Sequence, residues 1–93
     1  MSTILKPGDT LVDRYGKSTG NFLSPIDTPF EERALPASFK NKEYHKYIVK
    51  DLLKVKKSIV APWFDQPGGG IQYMTNEIIE ELVDKGYLEE VSE

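Results

Sequence analysis

The stretch NEIIEELVDKGYLEEV, residues Asn76–Val91, holds the best helical pattern of the chain and, directly after it, a change of period. Ile78, Ile79, Leu82 and Val83 recur at helical spacing and make one apolar stripe. Asn76 stands where an N-cap is wanted and Gly86 where a helix stops, so the predicted helix is Asn76–Lys85. Tyr87–Val91 then reads as a strand returning from it. A single good helix, handed straight to a strand, sets the terms on which the rest of the chain is read.

Working backward, the remaining elements are short and extended. Ile71–Met74 is a strand, with Gln72 and Met74 facing opposite to Ile71 and Tyr73. Ser58–Ala61 is another, ended by Pro62. Tyr44–Lys50 (YHKYIVK) is rich in β-branched and aromatic residues, and a period of two puts His45, Tyr47 and Val49 on one face. Leu35–Lys42 is loop. Thr28–Arg33 makes a helical turn, with Thr28 as its cap, Pro29 in the first helical position and acids following near the positive end. Phe22–Ser24 and Thr10–Tyr15 are short strands on either side of the loop Lys17–Asn21. Met1–Asp9 carries the turn signal Pro7-Gly8 and is expected to be a loosely ordered terminus. The sum is an α+β fold: a small single domain spanning residues 1–93, with a mostly antiparallel sheet, one main C-terminal helix and a helical turn near Pro29–Arg33.

Composition narrows the classes of function. A chain of 93 residues buries roughly 60–65% of the surface its unfolded form exposes, enough for one modest core. Its hydrophobic share of 39% against 29% charged residues is that of an ordinary globular domain. A net charge of −3 argues against coating a nucleic acid, which needs clustered Lys and Arg. No apolar run reaches membrane-spanning length, so no membrane insertion by this chain is expected, and no signal peptide opens it. Without cysteine there is no disulfide, thiolate zinc site or cysteine nucleophile, and with one histidine, His45, no multi-histidine metal site. Carboxylates alone can still hold a hard cation.

Some residues carry chemistry. Gly68-Gly69-Gly70 is costly in backbone entropy; such a run is a turn, or it lets backbone approach a ligand closely. It is neither a Walker loop nor a dinucleotide fingerprint, because the flanking residues those motifs need are missing. Arg14 and Arg33 are the only arginines beside ten lysines. Their planar forks suit a phosphate gripped at two oxygens, or simply surface ion pairs with some of the acids. Each ends an element, so both can point into one cleft. His45, alternating onto an apolar strand face, is read as a hydrogen-bonded core residue before a catalyst. The series Lys46, Lys50, Lys54, Lys56, Lys57 is a solvated face or an attraction for an acidic partner.

Read together, "LVDRYGKSTGNFLSPIDTPFEERALP", "YHKYIVKDLLKVKKSIVAPWFDQPGGGIQY" and the closing "LVDKGYLEEV" resemble the TNT family, named for the tuberculosis necrotizing toxin. The resemblance runs from Leu11 to Val91, with the DRYG, FLSP–TPFEER and WFxQPGGGxQY motifs in family order. It implies an NAD(P)+ glycohydrolase that cleaves the nicotinamide–ribose bond to give nicotinamide and ADP-ribose. A catalytically degenerate nucleotide- or protein-binding module and an ADP-ribosyl transferase are the alternatives. The resemblance implies no cofactor and no metal: NAD+ or NADP+ is the substrate. It also implies an immunity protein that blocks the active site. Delivery would be into a target cell's cytosol, as part of a larger secreted toxin. Relatives usually carry further sequence before the DRYG strand, so an excised module or a compact stand-alone version is expected.

Carried over by position, the resemblance places Arg14 on the substrate pyrophosphate and makes Arg33 a second phosphate or ribose contact. Phe22 becomes the aromatic wall, Ser24 a substrate-binding residue and Gln72 the amide beside the scissile bond; Gln72, Arg14, Phe22 and His45 are the catalytic residues the resemblance implies. Gly68, Gly69 and Gly70 are then expected to let the Gln72 segment lie against the ligand. The carboxylate that would activate water is left open among the acids of Glu77–Glu81 and the Tyr87–Glu93 tail.

Overall fold

In a computed structural model, residues 1–8, 11–17, 19–41 and 43–91 are described, residues 40 and 41 by backbone alone. Strands β1 (Ser2–Leu5), β2 (Leu11–Tyr15), β3 (Phe22–Pro25), β4 (Tyr44–Val49), β5 (Leu53–Ile59), β6 (Ile71–Met74) and β7 (Leu88–Val91) join in the order β1-β5-β6-β3-β2-β4-β7. All the pairings are antiparallel. Helix α1 (Ile79–Asp84) lies between β6 and β7, and 3-10 turns occupy Phe30–Arg33 and Ala37–Asn41. The expected α+β architecture is what the chain builds.

One face of this sheet closes on a single core. Alternation sends Leu5, Val12, Leu23, Tyr47, Val49, Leu53, Val55 and Leu88 inward from six strands, where they meet Ile79 and Leu82 of α1. Burying each aliphatic side chain contributes about 1.5–3 kcal/mol. Because both edge strands contribute to the same cluster, the sheet curls around the short helix.

Several expectations are corrected. The terminus expected to be loose contains β1, whose Ser2–Leu5 pairs with Lys56–Leu53 and whose Leu5 enters the core. An exposed β5 edge and an apolar pocket for Leu5 outweigh the entropy of a free end. β5 begins five residues before the predicted Ser58, because Leu53 and Val55 are buried between exposed Lys54 and Lys56. Those lysines are the solvated side of a strand. Within the expected loop Leu35–Lys42 lies the 3-10 turn Ala37–Asn41; Lys42, like Asp9 and Thr10, is outside the described residues.

The helix is shorter than Asn76–Lys85 and starts differently. Asn76 does not cap it: Ile78 is the N-cap and no side chain bonds there. The amide of Ile79 instead donates to the carbonyl of Gly20 at 2.9 Å, a partner supplied by the loop between β2 and β3. The stop is as read. Gly86 has φ +84, and the amides of Gly86 and Tyr87 return to the carbonyls of Val83 and Leu82 at 3.1 and 2.9 Å. That is a Schellman closure. At the other helical turn, Thr28 is not the cap; its hydroxyl donates to the Pro25 carbonyl at 2.7 Å.

Candidate active site

The face of β2 and β3 opposite the core carries Asp13 and Tyr15, Phe22 and Ser24, and a cleft of about 430 Å³ opens there. It is bounded by the turn at Arg33, by the end of β5 and by Gln72 of β6. Arg14, Phe22, Ser24, Arg33 and Gln72, all expected at the site, line it. Tyr15, Phe39 and Trp63 also line it; they escaped the reading because aromatic residues in a small domain are ordinarily read as core. Trp63 in fact stands 69% exposed, which sequence does not reveal.

Arg14 is the cation of the cleft. Its Nη1 donates to the Phe22 carbonyl at 2.8 Å, and its Nε is buried without a hydrogen-bond partner. Among the described residues no carboxylate pairs with it. Burial, the larger effect, pulls its pKa below the ordinary value, while the Tyr47 phenol works the other way. A partly dehydrated guanidinium lacking a counter-anion favours an anionic ligand.

Arg33 is differently employed. Its Nη1 and Nη2 meet Asp13 Oδ1 and Oδ2 at 2.6 and 2.9 Å, and its Nε donates to the Thr28 carbonyl at 2.9 Å. Both side chains are buried. Tyr44 donates its hydroxyl to Asp13 Oδ2, and the Asp27 amide donates to the same oxygen at 3.3 Å. Burial and that bond push the Tyr44 phenol well above its ordinary pKa, so it remains a donor. The Tyr15 ring lies 5.0 Å from the guanidinium carbon. Expected as a second phosphate contact, Arg33 touches the cleft while its fork is spent on Asp13. Its work is to hold the turn Phe30–Arg33 against β2.

The glycines are also corrected. None of Gly68, Gly69 and Gly70 lines the cleft, and none offers a free amide. Gly68 donates to the Glu31 carbonyl at 3.1 Å, Gly69 to Val60 at 2.8 Å and Gly70 to Glu32 at 3.1 Å. A Cβ on Gly68 would sit 2.6 Å from the Val60 oxygen, and one on Gly70 2.9 Å from the Glu32 oxygen. Side-chain-free backbone is needed here so that chain can pack on chain. The run seats the β5–β6 connection against the turn Phe30–Arg33, and Gln72 follows two residues later.

His45 lies outside the cleft. Its ring nitrogens lie 2.7 Å from Glu90 and 2.8 Å from Glu43. Hydrogen bonds to Glu90 first and Glu43 second raise its pKa above the ordinary value. It pairs across the sheet with Arg14, close in register yet not aimed at the cavity. The acids left open as water-activating groups are elsewhere too: Glu77 bonds Lys85 at 2.6 Å and Glu90 holds His45. Ser92 and Glu93 are outside the described residues. The lining carboxylate is Asp13, already surrounded by donors. Gln72, in contrast, is half-buried, and its amide makes no hydrogen bond among the described residues.

Residues 4–91 match the family described as tuberculosis necrotizing toxin.

The chain belongs to the tuberculosis necrotizing toxin family.

Among its relatives is the conidial surface nicotinamide adenine dinucleotide glycohydrolase nadA of Aspergillus fumigatus, 39% identical over 89 residues, covering 88% of this chain and 38% of that protein. Of solved structures, the tuberculosis necrotizing toxin complexed with its immunity factor IFT superposes with a TM-score of 0.73 at 28% identity, covering 94% of this chain and 54% of that one. The Rhs1-CT chain, in complex with its cognate immunity protein RhsI1, shares the fold at a TM-score of 0.59 and 23% identity, covering 100% of this chain and 77% of that one. This chain thus spans well under two thirds of the length of the first two relatives.

Proposed function

We propose that the cleft of this TNT-family chain binds NAD+ or NADP+ and hydrolyses the bond between nicotinamide and ribose. The observation that carries this reading is Arg14, a half-buried guanidinium with no carboxylate among the described residues, in one cavity with the unengaged amide of Gln72. The likeness to a protein named as an NAD glycohydrolase supports it.

In this reading Arg14 takes the pyrophosphate, and Phe22 and Trp63 present apolar surface to the flat nicotinamide. Gln72 and Ser24 hold ribose hydroxyls. The C1′–N bond breaks heterolytically, its electron pair leaving with the pyridinium nitrogen, so nicotinamide departs neutral and needs no general acid. Positive charge passes to the ribose as an oxocarbenium. Water adds at C1′, and its proton goes to solvent, giving ADP-ribose. Oriented dipoles at a developing charge lower such barriers, each worth about 2.7–4 kcal/mol where measured. The scheme uses no resident cofactor and no metal, and it does not ask Asp13 to act as a base.

The tuberculosis necrotizing toxin was solved in complex with its immunity factor, which supports an immunity protein as the macromolecular partner of this chain. The toxin family and a relative named as a conidial surface protein support work in a target cell's cytosol, or display at a surface, as part of a longer protein.

Purified protein incubated with NAD+ is expected to release nicotinamide and ADP-ribose in equal amounts. No release from correctly folded protein would reject the reading. If calorimetry then showed NAD+ bound but intact, the chain would be a binding module. ADP-ribose found attached to a macromolecule would make it a transferase.

A further inference from the structure

Arg14 owes its place to a gap in the chain opposite it. A Cβ built on Gly20 would lie 2.3 Å from Arg14 Nη2 and 2.6 Å from both Cζ and Nη1. One built on Gly16 would lie 3.1 Å from the same Nη2. The guanidinium therefore lies in a slot between two glycines, with the Phe22 carbonyl receiving Nη1 at 2.8 Å. Arg14, Gly16 and Gly20 also line a second, smaller cavity of about 300 Å³.

The wall of the slot is fastened from behind. Ile79 donates its amide to the Gly20 carbonyl at 2.9 Å, and Thr75 donates its amide to Asn21 at 2.9 Å. Asn21 returns its side-chain amide to the Thr75 carbonyl at 3.2 Å, and the hydroxyl of Thr75, itself buried, lies 2.6 Å from the Glu77 carbonyl and 3.1 Å from that of Asn21. With Gly20 held this way, an added methyl group cannot retreat. What it meets is the far end of a flexible side chain, so the arginine moves and the backbone stays.

We infer that Gly20 is a positioning residue: its missing side chain fixes the Arg14 guanidinium in the slot, and the start of α1 holds Gly20 there. Gly16 belongs to the same slot, but its φ of +111 strains any substitution and spoils the test. Gly20 has no such φ, so alanine there changes only the space offered to Arg14.

The consequence for catalysis rests on the reading of the cleft as an NAD+ site; the placement of Arg14 does not. The test is Gly20→Ala, with Arg14→Ala and the double variant beside it. The Arg14 Nε–H resonance, assigned by its loss in Arg14→Lys, is expected to exchange slowly in the wild-type protein and quickly in Gly20→Ala. Nicotinamide release should fall at least about 100-fold in Gly20→Ala, as for Arg14→Ala, with little change in Tm. Adding Gly20→Ala to Arg14→Ala should cost nothing further in Tm or in rate. Should Gly20→Ala itself melt early, recovery of Tm in the double variant supports the slot, and failure to recover overturns it. An unmoved Nε–H with unchanged exchange also overturns it. If the wild-type protein releases no nicotinamide, the catalytic reading falls, while the resonance and the melting cycle still decide the role of Gly20.

Discussion

Arg33 and Asp13 meet fork to fork across 20 residues of chain, at 2.6 and 2.9 Å, with both side chains buried. The cleft's second arginine is therefore part of its frame, and the two arginines separate by experiment.

Removing one partner of a buried ion pair leaves the other charge without compensation, typically at about 3–5 kcal/mol. Arg33→Ala and Asp13→Ala are each expected to lose stability on that scale in urea titrations. Arg14→Ala should keep nearly all of its stability and lose nicotinamide release at least about 100-fold. Equal stability of Arg14→Ala and Arg33→Ala would contradict the assignment.

Gln72→Ala should also lower turnover at least about 100-fold, the scale of one preorganised polar donor, without moving Tm. Since no described residue bonds its amide, the fold does not depend on it. A wild-type rate would remove Gln72 from the mechanism.

His45 sets a pH dependence of stability. A neutral imidazole carries one N–H, so donating to both Glu43 and Glu90 requires the imidazolium. Its folded pKa is raised above the ordinary 6.5, so this contribution is complete below about pH 6.5. It is lost as pH rises through the folded value. The Tm gap between wild type and His45→Asn should be widest near pH 5.5 and close at higher pH. A gap constant across that range would show the carboxylate bonds to be unimportant.

Gly68 and Gly69 should differ. Gly69 has φ +92 and open space beside it, so Gly69→Ala should cost about 1–2 kcal/mol, the left-handed backbone penalty. Gly68→Ala adds to that a collision with the Val60 carbonyl, bringing on the order of 1–3 kcal/mol more. Chemical denaturation of both variants checks the order; a reversed order would refute it.

Much of the fold was legible from local pattern. β6 was read with its observed bounds, β2, β3, β4 and β7 nearly so, and Gly86 ends α1 as expected, because alternation and a glycine stop are properties of neighbouring residues. β1 and the first half of β5 were not. Ser2–Leu5 carries no strong pattern and becomes a strand by pairing with Leu53–Lys56. The lysines of β5 hid Leu53 and Val55, which alternate with them.

At the site, family motifs named Arg14, Phe22, Ser24, Arg33 and Gln72, and all of them reach one cleft. Their roles were less legible. Arg14 and Arg33 are the same side chain in sequence; a buried carboxylate 20 residues away makes one of them structural, and its absence leaves the other open to a ligand.

By itself the amino-acid order determined the class of fold, the family and the residues that gather at the cleft. Those follow from periodicity, turn chemistry and motif order, all read along the chain. Tertiary structure alone decided which arginine is paired, where the amides of Gly68–Gly70 go and why His45 stands aside. Hydrogen-bond and ion partners are chosen in space, between segments that sequence does not bring together, and burial sets how strongly each choice counts.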